Sequence, residues 1–243
     1  MSTIGYGYGS EWHFMRYLAY HREFLEKRIC ILGNFRSVKF MDFPFSGNPS
    51  LLHDDLEYGG IEFLDAQVVG NEKLVTIKKA WESFWPQTGT PPQWDAIAVA
   101  ESEENLHYLI FEAKAHSREL RSPCKAKSVS STIIERAFEQ TRTELGIETD
   151  NDWKKKYYQI ANRIAVCNFL NQHDVSTYIV NLYFMGERSP LFPTNSNCPN
   201  SIEDWEEYIE AQYNHLGLQP GEYDRILNLF LHINEEDKEA SSQ

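Results

Sequence analysis

Two short apolar runs end in charges that could act together. The first reads Trp94-Asp95-Ala96-Ile97-Ala98-Val99-Ala100, and after a polar turn the second reads Tyr108-Leu109-Ile110-Phe111-Glu112-Ala113-Lys114. Burying an unpaired charge is costly, so three charges at the ends of two apolar strands need a reason. On a strand Glu112 and Lys114 point to the same face, and a hairpin brings Asp95 beside Glu112. Two carboxylates and an ammonium at a sheet edge can hold a hard divalent cation and an attacking water, the simplest set for phosphodiester hydrolysis. Mg²⁺ takes oxygen ligands and keeps several waters, so Asp95 and Glu112 suffice to site it, with the Ala113 carbonyl as a third ligand. Mn²⁺ would serve in the same way. The cation would neutralise charge developing at phosphorus and acidify a bound water. Lys114 would polarise that water or stabilise phosphate oxygens. The plain alternative is a Glu112–Lys114 ion pair on an edge strand, with Asp95 capping a turn.

The elements that must position these residues can be read along the chain. Residues 11–29 carry Phe14/Met15, Leu18, Leu25 and Ile29 at a helical period, with Ser10 as N-cap and Gly33 past the end. Residues 35–70, rich in Gly, Pro and Asp, read as an insertion with short strands at 38–43 and 61–69. A helix over 71–84 follows and Pro86 stops it. Thr132-x-x-Glu135 is a capping box for a helix to about residue 145. Asp152 opens another helix, over 153–171, with Trp153, Tyr157, Ile160, Ile164 and Cys167/Asn168 on one stripe. Residues 175–184 form a strand by β-branched and aromatic content. Ser201-x-x-Asp204 caps a helix to about 216. Residues 222–233 make a last helix or strand, and the tail over 234–243 is expected to be disordered. Residues 1–233 thus read as one domain.

The Asp95…Glu112-x-Lys114 stretch, in this order of elements, resembles the PD-(D/E)xK phosphodiesterase superfamily, the restriction-endonuclease-like fold. Trp94 stands where the motif has Pro, a position that varies widely in that superfamily. The resemblance implies an α/β fold: a mixed central sheet flanked by helices, an αβββαβ core with an N-terminal insertion and C-terminal helical additions. It also implies Asp95 and Glu112 as metal ligands and Lys114 as the catalytic lysine. Nucleases of this fold often carry a Glu near the start of the first helix that completes the metal site. Gly9-Ser10-Glu11 is similar, although Glu11 in a first helical turn also suits the helix dipole. In many members the helix after the catalytic strands turns a Gln or Tyr towards the site. Gln159 occupies the matching element, with an ordinary boundary position as the alternative.

The chain has 243 residues, 42% of them hydrophobic and 14% aromatic, enough for a full core. No apolar run has membrane-spanning length, and the Gly/Tyr-rich start is not a signal peptide. Cys30, Cys124, Cys167 and Cys198 are scattered, which suggests reduced thiols and a cytoplasmic location. The net charge of −13 opposes polyanion binding. Yet Lys114, Arg118, Arg121, Lys125 and Lys127 crowd the segment to Ser128 against one acid, Glu119, and Lys154-Lys155-Lys156 form a second knot. Arg118, Arg121, Lys125 and Lys127 are therefore nucleic-acid contacts or a solvated loop. His116 could touch phosphate or lie on the surface. The expected function is a metal-dependent nuclease, with DNA favoured because the fold's known members mostly cut DNA. The alternative is a non-catalytic nuclease-fold interaction or scaffold protein. No membrane partner is expected, and monomer or homodimer stays open. Removing Asp95 or Lys114 is expected to cost little stability, or to raise it by relieving repulsion between carboxylates held close together.

Overall fold

A computed structural model describes residues 8–41, 58–187, 198–219 and 221–233. Its elements are, in order, α1 (Ser10–Tyr20), α2 (Arg22–Gly33), β1 (Ser37–Phe40), β2 (Tyr58–Gly59), α3 (Ala66–Val69), α4 (Asn71–Phe84), β3 (Gln93–Trp94), β4 (Ala96–Glu101), β5 (Leu106–Lys114), a 3₁₀ turn (Ser117–Leu120), α5 (Ser128–Leu145), α6 (Tyr158–Gln172), β6 (Thr177–Met185), α7 (Ile202–Leu216) and β7 (Ile226–His232). The fold is α/β, with a mixed five-stranded sheet between two layers of helices. The sheet order is β1-β4-β5-β6-β7. β1, β4 and β5 form an antiparallel meander, whereas β6 runs parallel to β5 and β7 parallel to β6. Parallel neighbours need crossovers, and the helices α5 and α6, then α7, supply them.

The strands read as unbroken apolar runs because both faces are covered. One face carries Ala96, Ala98, Leu109, Phe111, Val180 and Leu182 beneath Phe14, Tyr17 and Leu18 of α1 and Leu25 and Ile29 of α2. The other carries Ile97, Tyr108, Ile110, Ile179 and Tyr183 beneath the apolar stripes of α4, α5, α6 and α7. Every residue of α6 from Ile160 to Leu170 is buried, Asn162, Arg163 and Asn168 included. A helix apolar on most sides belongs inside a layer rather than on its surface.

Several boundaries differ from the sequence reading, each for a local reason. The helix expected over 11–29 is two, broken at His21 (φ −131°, ψ 30°), and both pieces seat their apolar residues on one sheet face. Gly9 rather than Ser10 precedes the first, and Asn34, with φ 52°, closes the second after Gly33. The strand expected over 61–69 is a turn and the short helix α3, because the Asp65 carboxylate accepts the Gln67 N–H at 2.8 Å and starts a helix. Of the strand expected over 38–43, β1 keeps residues up to Phe40, and 42–43 lie outside the described residues. The Trp94–Ala100 run is split: Gln93 and Trp94 pair with β2, and β4 begins after Asp95. Helix α5 starts at Ser128, so Thr132 is not a cap and its hydroxyl bonds back to the Ser128 carbonyl at 3.1 Å. Helix α6 starts at Tyr158 rather than 153, because Ser122 takes over its first turn. The Ser122 carbonyl accepts the Tyr158 N–H, and its Oγ accepts the Gln159 N–H, both at 2.9 Å. The Ser201–Asp204 capping box is formed as expected. Residues 222–233 resolve to the strand β7. The tail over 234–243 lies outside the described residues.

Candidate active site

Glu112 and Lys114 continue the side-chain series of Tyr108 and Ile110, so they enter the layer beneath α6 and α7. Both are buried, at 3% and 7% exposure. The Lys114 ammonium donates to the Glu112 carboxylate and, at 3.1 Å, to Gln159 Oε1. The Ser122 bonds to the first turn of α6 are what bring Gln159 to this position. One helical turn on, the Arg163 guanidinium forms a second ion pair with Glu112. Arg163 also donates to the Gln93 carbonyl and to Asn162 Oδ1, each at 2.7 Å, and lies over the Trp94 ring at 5.1 Å. A cavity of about 10 Å³ lies among Glu112, Lys114, Gln159, Asn181, Tyr183 and Gln212, room for about one water.

Asp95 sits at the junction where the chain leaves β3 for β4. Its Oδ2 accepts the Ala113 N–H at 2.7 Å, which fastens it between Glu112 and Lys114 along β5. Burial and then the negative charge of Glu112 push the Asp95 carboxyl up to about 7, against the pull of Lys114, the Ala113 N–H and Arg163. Glu112 moves the other way. Burial alone would raise it, but Arg163 and Lys114 together hold it below the ordinary carboxylate value. Two neighbouring carboxylates with opposite shifts are one charged and one ready to take a proton near neutrality.

The structure thus brings Asp95, Glu112, Ala113, Lys114 and Gln159 together. It does not bring in Glu11. Helix α1 packs on the opposite face of the sheet, and Glu11 is exposed there. His116, two residues past β5, turns instead to Glu187 after β6, with Nε2 2.7 Å from Oε2. Arg118, Arg121, Lys125 and Lys127 are exposed on the segment that leaves β5. The second basic knot is partly neutralised, Lys154 by Glu135 at 2.7 Å and Lys155 by Asp152 at 3.6 Å.

Sequence reasoning missed Arg163 as part of the group. The signal was available: an Arg inside the apolar run Ile160-Ala161-Asn162-Arg163-Ile164-Ala165-Val166 must find a counter-charge. It also missed Glu187 and His13, which no spacing in the sequence connects.

Among the described residues no group of three or more His, Cys, Asp or Glu side chains is arranged to hold a metal ion, and no helix is long and apolar enough to cross a membrane. No protein-family model, curated protein or solved structure matches this chain.

Proposed function

We propose that this chain is a divalent-metal-dependent nuclease of restriction-endonuclease-like fold that hydrolyses phosphodiester bonds, DNA before RNA. The observation that carries the reading is the convergence of Asp95, of Glu112 and Lys114 on one strand, and of Gln159, from three separate points of the chain. The order helix, antiparallel meander, helices, parallel strand supports the same reading. The donor set suits a hard cation: two carboxylates, with the Ala113 carbonyl beside them. Burial, and then the charge of Glu112, raise the Asp95 carboxyl to about 7, so the two carboxylates are close enough to act on one another.

In this reading Asp95, Glu112 and the Ala113 carbonyl would hold Mg²⁺ or Mn²⁺, which would supply charge neutralisation at the phosphoryl oxygens. Lys114 places a positive charge beside the reacting phosphate, where it stabilises developing negative charge. Gln159 fixes the direction of that ammonium. Arg163 balances the buried Glu112 charge and holds that carboxylate in place. Arg118, Arg121, Lys125 and Lys127 give an acidic protein a local basic edge for the polyanion. The four free cysteines fit a cytoplasmic location.

One observation favours the second reading, a nuclease-fold scaffold without catalysis. The Glu112 carboxylate is already engaged by two cations, in a cavity with room for about one water. Incubating the purified protein with DNA and RNA of several structures, with Mg²⁺ or Mn²⁺ or with EDTA, separates the two. Metal-dependent cleavage that Lys114→Met abolishes supports the nuclease. Metal binding without cleavage of any substrate supports the scaffold.

A further inference from the structure

A second cluster of titratable side chains lies just past the carboxyl ends of β5 and β6, the edge where open α/β sheets bind ligands. Its centre is Glu187, 9% exposed. Oε1 accepts the Gly9 N–H and meets His13 Nε2, each at 2.7 Å, while Oε2 meets His116 Nε2 at 2.7 Å. One carboxylate therefore joins the start of α1, the end of β5 and the end of β6.

Closing the start of α1 accounts for Gly9 and His13, but not for His116. The His116 side chain keeps 23% exposure, against 7% for His13 and 4% for Glu187. With Nε2 committed to a buried carboxylate, Nδ1 is the ring nitrogen left to meet a ligand. A carboxylate behind a histidine fixes the ring and favours its charged form. Burial opposes the Glu187 charge, but the ion-pair contact with His116 and the bonds with His13 and Gly9 hold its carboxyl down at about 2. The Glu187 carboxylate, 2.7 Å away, in turn raises His116 above its ordinary value, with burial and Arg118 opposing and Glu119 assisting. Glu187 and Glu119 are the acids that act on His116, Arg118 is the base, and His13 reaches it through Glu187.

We propose that His116, held by Glu187 and His13, is a phosphate-binding imidazolium that contacts, through Nδ1, a phosphodiester group flanking the one attacked at Lys114. The identity of the polymer rests on the nuclease reading; the anion contact itself does not. An Nδ1–H donor on a charged ring makes a charge-assisted bond to a phosphate oxygen, stronger than a neutral one. Glu187 is the positioning residue, because it acts through His116.

The test is ring NMR of His116 in the full chain with inorganic phosphate, together with affinity for a short DNA duplex in EDTA from about pH 6 to about pH 9. Phosphate should shift the His116 resonances, and duplex affinity should fall roughly tenfold or more as His116 loses its proton. His116→Gln should be weak at the acid end and lack that fall. Glu187→Gln, nearly isosteric and checked for folding by circular dichroism, should move the fall to lower pH, which a merely structural role would not do. A His116 shift with phosphate but no duplex binding supports the anion site and removes the nucleic-acid reading. Duplex binding with the same pH profile in wild type and His116→Gln overturns this inference and leaves the nuclease reading standing. Absence of any effect of phosphate or duplex on His116 overturns it as well.

Discussion

Arg163 on α6 and Glu112 on β5 form an ion pair in which each side chain is only 4% exposed. Attraction across a water-poor interior is strong, but so is the penalty for taking both charges out of water. The pair is therefore better read as a constraint than as a source of stability. It fixes the carboxylate that a cation would need, and it leaves that carboxylate exposed to a large penalty if the arginine is lost.

Arg163→Met should destabilise the protein by about 3–5 kcal/mol, because Glu112 keeps a buried charge with one counter-ion fewer. Adding Glu112→Gln to Arg163→Met should recover part of that loss. Urea melts of wild type, the single variants and the double variant at neutral pH measure the coupling. Additive losses would mean the two side chains do not depend on one another.

Lys114→Met should abolish metal-dependent cleavage while sparing metal binding, since a protonated lysine donates but does not ligate. Its stability effect departs from the sequence-based expectation of little loss. The ammonium is buried against Glu112 and Gln159, so its loss should lower stability by about 1–3 kcal/mol. Calorimetry with Mn²⁺ and a thermal melt on one sample check both halves. Lost metal binding in a folded variant would contradict the role assigned to Lys114.

Asp95→Asn should stabilise the metal-free protein at alkaline pH. A folded-state value of about 7, above the ordinary unfolded value, means the native state holds the proton more tightly. Stability then falls as pH rises from about 4 through about 7 and stays low above that. Asparagine carries no such charge and can still accept the Ala113 N–H. The gain should be about 2–4 kcal/mol above neutrality and vanish below about pH 4. Denaturant melts in EDTA across that range give the profile. A constant difference at all pH values would show that Asp95 is not held protonated.

Arg118→Glu with Arg121→Glu should weaken DNA binding and flatten its salt dependence, with little effect on folding, because both residues are exposed. Affinity measured at several salt concentrations reads the slope directly. An unchanged slope would mean that the loop is solvated surface and the polyanion lies elsewhere.

Local pattern along the chain was enough for part of the fold. Apolar runs bounded by turns placed β5 and β6, the helical stripe placed α4, and Ser201 with Asp204 capped α7. The period of two along β5 also put Glu112 and Lys114 on one face, since alternation is a property of the extended backbone itself. Tertiary structure decided which residues meet across layers. Glu11 and Gln159 were both candidates from one chain, yet α1 packs on one side of the sheet and α6 on the other, so only Gln159 reaches Lys114. Residues far apart in sequence likewise place Arg163 on Glu112 and Glu187 between His13 and His116. Helical or strand periodicity says which face of an element is apolar, but not which layer that face will cover. Only packing settles that, and it is packing that brought the charges of this chain together.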